Sequence, residues 1–120
     1  MKRVSPKPEL EGIPCSYVAV ACALGGNPSN AEELFTSLKT DGYASLAVAN
    51  RFIRSNLKIK KCINYKRGER PMLIDLHLDG RAVVCVLGHF LYLDHETYYS
   101  FFKNEYDDVV SVWIIKEEGI

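Results

Sequence analysis

Apolar and polar positions divide the chain into a first half with helical spacing and a second half with extended alternation. The stretch Cys15-Ser16-Tyr17-Val18-Ala19-Val20-Ala21-Cys22-Ala23-Leu24 follows Pro14 and stops at Gly25-Gly26. Proline near the start and glycine just past the end are helix punctuation. This helix is apolar on every side, the pattern of an element buried all round, and it is expected at the centre of the core. A second helix is announced by Ser29-Asn30-Ala31-Glu32, a capping box, with Leu34, Phe35 and Leu38 as its apolar stripe and Gly42 at its end. Ser45 opens a third, with Leu46, Val48, Ala49, Phe52 and Ile53 on one face, Arg51 and Arg54 outward, and a stop near Asn56.

From Leu57 the spacing changes to period two. Leu57, Ile59, Lys61, Ile63 and Tyr65 alternate with Lys58, Lys60, Cys62 and Asn64, a strand pattern with one mismatch at Lys61. The segment Met72 to Leu78 fits a helical turn and an extended piece equally well. Asp79-Gly80 marks a turn, and Arg81–Leu87, Gly88, His89–Leu93, a turn at Asp94-His95-Glu96 and Thr97–Phe102 then read as an antiparallel meander. Val109–Ile115, rich in Val and Ile and holding the single Trp, supplies a last strand. Helices followed by strands indicate an α+β fold, with N-terminal helices packed on a C-terminal antiparallel β-sheet.

Composition adds bounds rather than direction. A chain of 120 residues with 48% hydrophobic and 25% charged residues is sized and composed for one folded domain, here residues 9–120, preceded by a loose arm over residues 1–8. Lys+Arg 15 balance Asp+Glu 15, so there is no global pull toward nucleic acid or anionic lipid. The N-terminal sequence does not read as a secretory signal, and no apolar run is long enough for a spanning helix, so a cytoplasmic location without membrane contact is expected. Cys15, Cys22, Cys62 and Cys85 stand singly at wide spacings, which favours reduced thiols. Neither Cys-x2-Cys nor His-x3-His occurs, so a structural metal is not expected, and no cofactor is indicated.

Two positions carry candidate chemistry. Cys15 stands at the head of the buried helix, where the macrodipole and unpaired amides favour a thiolate and can donate to an oxyanion. His89 follows Gly88 at the start of a strand and is the candidate base. The other three cysteines read as small buried hydrophobes and His77 and His95 as surface or structural residues.

The pattern Cys15-x3-Ala19-x-Ala21-x-Ala23-Leu24-Gly25, followed by Gly80-Arg81-Ala82-Val83-Val84-Cys85-Val86-Leu87-Gly88-His89-Phe90-Leu91-Tyr92-Leu93-Asp94, resembles small papain-fold cysteine peptidases over about residues 9–102. It is similar in particular to compact bacterial and phage-encoded members and to bacteriocin-processing leader peptidases. The resemblance implies a papain-like fold, Cys15 as nucleophile, His89 as general base, a peptide or protein substrate, and a viral or bacterial source. It also implies a residue that orients the imidazole about eleven positions after the histidine, where this chain has Ser100. If the hairpin turns through His95-Glu96, Leu93 faces Tyr98, Leu91 faces Ser100 and His89 faces Phe102, so Ser100 shares a sheet face with His89 and Asn104 lies further along it. Asp94, by alternation, falls on the other face and reads as a turn residue. Much of the family places an oxyanion-binding glutamine shortly before the cysteine; this chain has Glu9 and Glu11, whose charge would repel an oxyanion.

Two departures, Ser100 and the missing glutamine, support an alternative: a papain-fold module that has lost its chemistry and binds or regulates a partner. A further signal lies in residues 51–70, where Arg51, Arg54, Lys58, Lys60, Lys61, Lys66, Arg67 and Arg70 face only Glu69, with Tyr65 among them. Such a stretch is ordinarily a solvated face, but it is also the pattern of a patch for phosphate, nucleic acid or a protein partner.

Overall fold

The computed structural model describes residues 1–25 and 46–117. The helix expected from the capping box at Ser29 lies outside the described residues. Within them the fold is α+β: two helices and one six-stranded mixed sheet. The strands are β1 (Lys2–Val4), β2 (Ile59–Asn64), β3 (Arg81–Val86), β4 (His89–Asp94), β5 (Thr97–Tyr99) and β6 (Val109–Ile115), in the order β1-β5-β4-β3-β6-β2. Helix α1 (Cys15–Ala23) and helix α2 (Leu46–Asn56) match the first and third expected helices.

Three expectations need correction. Lys2–Val4, read as part of a loose arm, instead pairs in parallel with β5, so a strand precedes the helices and the sheet is mixed rather than wholly antiparallel. The Thr97–Phe102 run pairs with β4 only through Tyr99, and the next N–H, of Ser100, donates to the Val4 carbonyl of β1 at 3.1 Å. In β2 the mismatch at Lys61 is a β-bulge: Ile59 opposes Ile115, but Lys61 opposes Ile114. Two residues on β2 here share one step of β6, so Lys60 and Lys61 are both exposed and the phase flips beyond them. Ile59 and Cys62 thereby reach one face, while Ile63 and Tyr65 reach the other.

Both faces of the sheet are covered. Val83, Cys85, Tyr92, Trp113 and Ile115 pack against Val20 of α1 and Phe52 and Ile53 of α2. Tyr17 and Phe52 join the two helices edge to face with ring centroids 4.6 Å apart. Asn50 of α2 accepts the Trp113 indole N–H at 2.8 Å, so the largest core side chain buries no orphan donor. On the opposite face Val84, Leu91, Leu93, Tyr98 and Val112 are capped by Leu73 and Leu76. The ambiguous Met72–Leu78 segment is thus resolved as a 3-10 turn at Leu73–Asp75 entered through an isolated bridge of Met72 to Asp108.

The all-apolar character of α1 has a structural cause. One side meets the sheet, and the other is covered by Leu10 and the half-buried Ile13 and Phe101, which surround Val18 and Ala21. The helix starts directly after Pro14 and is followed by Gly25 at φ +108°, where a side chain would be strained. No helix among the described residues is long and apolar enough to cross a membrane.

Candidate functional site

The site forms where β4 loses its outer neighbour. β5 pairs with Tyr92, Leu93 and Asp94 and then stops, while β4 extends back through Phe90 to His89, paired there only with β3. The Phe90 N–H, which β5 does not reach, donates to the Cys15 sulfur at 3.4 Å. The head of α1 therefore sits against the open end of β4. Pro14 at the N-cap offers no side-chain hydrogen bond, and the Tyr17 and Val18 amides both turn to its carbonyl. The first two amides of the helix, of Cys15 and Ser16, lie beyond any intrahelical bond, and both residues line the cleft described below.

Residues 100–102, leaving the sheet, divide among the parts of the site. Ser100, only 2% exposed, places its Oγ 3.0 Å from His89 Nε2. Phe101 packs on the outer side of α1. Phe102 sets its ring edge to face with the His89 imidazole, with centroids 5.5 Å apart and planes at 88°. The Phe102 N–H also donates to Ser100 Oγ at 3.1 Å. Leu93 lies opposite Tyr98, as the turn through His95-Glu96 requires, and this register puts Ser100, one residue beyond the last paired position, on the sheet face of His89.

Cys15, Ser16, His89, Ser100 and Phe102 line one open cleft of about 1000 Å³, whose walls also include Glu11 and Arg3. The Arg3 guanidinium donates to the Ser100 carbonyl at 3.2 Å, tying the N-terminal strand to the same turn. Among the described residues no hydrogen bond joins the Cys15 sulfur to the His89 ring; what links them is the Phe90 amide, one residue along from the histidine. Burial pushes the His89 imidazole below its ordinary pKa, a tendency that the Asp107 carboxylate opposes.

Behind Ser100 lies a polar chain. Its hydroxyl donates to Asn104 Oδ1 at 2.6 Å, and Asn104 Nδ2 donates to Asp107 Oδ2 at 2.7 Å. Asn104 is 5% exposed, and its backbone N–H donates to the Tyr98 hydroxyl at 3.2 Å. Ser100 is reached from the family resemblance, eleven positions after His89, and is checked by the sheet face it shares with His89, a face along which Asn104 also lies. Asp107 was grouped only with the C-terminal acidic residues, although its position three residues after an asparagine is a turn spacing that could have placed it.

The remaining candidates separate cleanly. Burial pushes the thiols of Cys22 and Cys85 up to about 11 each. All four cysteines are free, and no group of His, Cys, Asp or Glu among the described residues is arranged to hold a metal ion. His77 and His95 are exposed beside Glu96 and Asp94 respectively, and Asp94, expected as a turn residue, is instead the last residue of β4, paired with Arg81 and Thr97 just before the His95-Glu96 turn. The cations of residues 51–70 spread over α2, β2 and the following loop, and Arg67 and Arg70 line a separate hollow of about 640 Å³ with Leu87 and Asp108. Comparison with protein-family models, with curated proteins and with solved structures finds no match.

Proposed function

We propose that this protein is a papain-like thiol hydrolase that cleaves an amide bond in a peptide or protein. The observation that carries this reading is the meeting of a cysteine in the first position of a helix and a strand histidine in one cleft, with Ser100 hydrogen-bonded to the imidazole at 3.0 Å. His89 takes the Cys15 proton, and the thiolate attacks the substrate carbonyl carbon. The oxyanion forms beside the first amides of α1, donors that need no glutamine. His89 then passes the proton to the leaving amine as the C–N bond breaks, leaving a thioester on Cys15. Water, deprotonated by His89, releases the acid and restores the thiol. The open cleft suits an extended chain rather than a small enclosed ligand, which favours a peptide substrate.

Site-resolved alkylation tests the reading. Cys15 is expected to react with iodoacetamide at least about tenfold faster than Cys22 and Cys85, whose burial disfavours the thiolate, and His89→Ala removes most of that advantage. Equal reactivity of Cys15 and Cys85 overturns it.

A second reading, a binding module on the same fold, is favoured by one observation: no hydrogen bond joins Cys15 to His89 among the described residues. It predicts slow alkylation of Cys15 together with binding of a partner through the cleft or the 51–70 cations. A nucleic-acid partner there would show affinity that falls steeply with salt.

A further inference from the structure

We propose that Asp107, acting through Asn104 and Ser100, is a positioning residue that fixes which nitrogen of the His89 ring carries the proton. The argument follows hydrogen-bond direction along the chain. An ionised carboxylate only accepts, so the Asp107 oxygen 2.7 Å from Asn104 must face the amide nitrogen. This sets the orientation of the Asn104 side chain, because the reverse would bring two acceptor oxygens together. Asn104 Oδ1 then faces Ser100 and must receive its hydroxyl proton across 2.6 Å. A hydroxyl has one proton, so Ser100 Oγ can only accept from its remaining neighbours, the Phe102 N–H and His89 Nε2. The hydrogen therefore sits on Nε2. A neutral imidazole has one N–H, so Nδ1 is left bare as the basic atom.

The frame around the chain holds it in this sense. The Asp107 N–H donates to the Asn104 carbonyl at 3.1 Å, and its own carbonyl accepts the Leu73 N–H at 3.0 Å. The Glu105 carbonyl accepts from Ile74 at 2.8 Å. The loop carrying Asn104 and Asp107 is thus fastened by backbone bonds to the 3-10 turn that caps the sheet. When His89 is protonated, the same chain presents an acceptor to Nε2–H and a carboxylate at its far end, so a serine contact is backed by a negative charge. The consequence for catalysis rests on the thiol-hydrolase reading; the tautomer itself does not.

The test is nuclear magnetic resonance of the full chain with 15N-labelled histidine at about pH 8, where imidazole is neutral. His89 is expected to carry its proton on Nε2, and a proton on Nδ1 in the unmodified protein overturns the proposal without need of any variant. In Asp107→Asn the terminal group both donates and accepts, so the chain loses its direction. The ratio of Nε2–H to Nδ1–H at His89 is expected to fall by about tenfold, the scale of one charge-assisted hydrogen bond, while the buried Trp113 indole N–H signal reports an intact fold. An unchanged ratio in the folded variant overturns the proposal, since Ser100 would then orient the ring alone. The two readings fail separately: an inert Cys15 with Nε2–H in place removes the hydrolase and leaves the relay, whereas a reactive Cys15 with Nδ1–H does the reverse.

Discussion

The two halves of β4 differ in what lies beside them. From Tyr92 to Asp94 the strand is paired on both edges, by β3 and β5, and Tyr92 and Leu93 are buried on its two faces. At His89 and Phe90 only β3 remains, and the free edge is filled by a cysteine sulfur, a departing turn and solvent. The same strand thus serves as scaffold at one end and as site at the other. Backbone groups left over by an incomplete ladder must find partners, and here the partner is a thiol. The candidate site lies where regular pairing stops, on side chains held by regular pairing a few residues away.

Breaking the closed half should have the largest effect on stability. Leu93→Ala removes a fully buried side chain from the core under the 3-10 turn and is expected to cost about 3 kcal/mol, read as a lower denaturant midpoint at unchanged m-value. Ser100→Ala attacks the junction of the two halves. It leaves the buried Asn104 Oδ1, the Phe102 N–H and His89 Nε2 without their shared partner, at an expected cost of about 1–3 kcal/mol in the same measurement. A variant as stable as the parent would mean that water replaces the hydroxyl.

The smallest effect is a pH dependence confined to the open half. Because the folded protein holds the His89 pKa below its ordinary value, the unfolded chain takes up that proton first as pH falls. The contribution of neutral His89 is complete above the ordinary imidazole range and declines as pH falls through it, toward the lower folded value. His95 works in the opposite sense, since hydrogen bonding to Asp94 raises its pKa. The difference between the parent and His89→Gln, followed from about pH 7.5 to about pH 5, isolates the first effect. The parent should lose more stability than the variant over that range, and parallel curves would contradict the assigned direction.

Local signals made the closed half legible. Helix punctuation at Pro14 and Gly25, the amphipathic face of α2 and the apolar runs of β3, β4 and β6 between turn signals each depend on neighbours in sequence, and a two-residue turn then determines which residues oppose each other across β4 and β5. That register agrees with the resemblance in putting Ser100 on the sheet face of His89. What the sequence concealed is non-local. β1 is three residues with two cations, and nothing near it signals a parallel partner at Thr97–Tyr99. The loop from Asn104 to Asp108 has no periodicity, and its shape comes from backbone bonds to residues 71–74. The Lys60-Lys61 bulge showed only as a flaw in an otherwise regular alternation.

That bulge also bears on how the molecule meets other copies of itself. β2 is an outermost strand, and an outermost strand with unpaired backbone groups is a template on which another chain can add and propagate an aggregate. Lys60 and Lys61 project side by side from β2 where its ladder is out of step, and at the opposite border β1 carries Lys2 and Arg3. An incoming strand would meet charge at both borders and a broken hydrogen-bond rhythm at one of them. Among the described residues, part of the cation-rich stretch thus stands where charge opposes the addition of a further strand, without reference to any ligand.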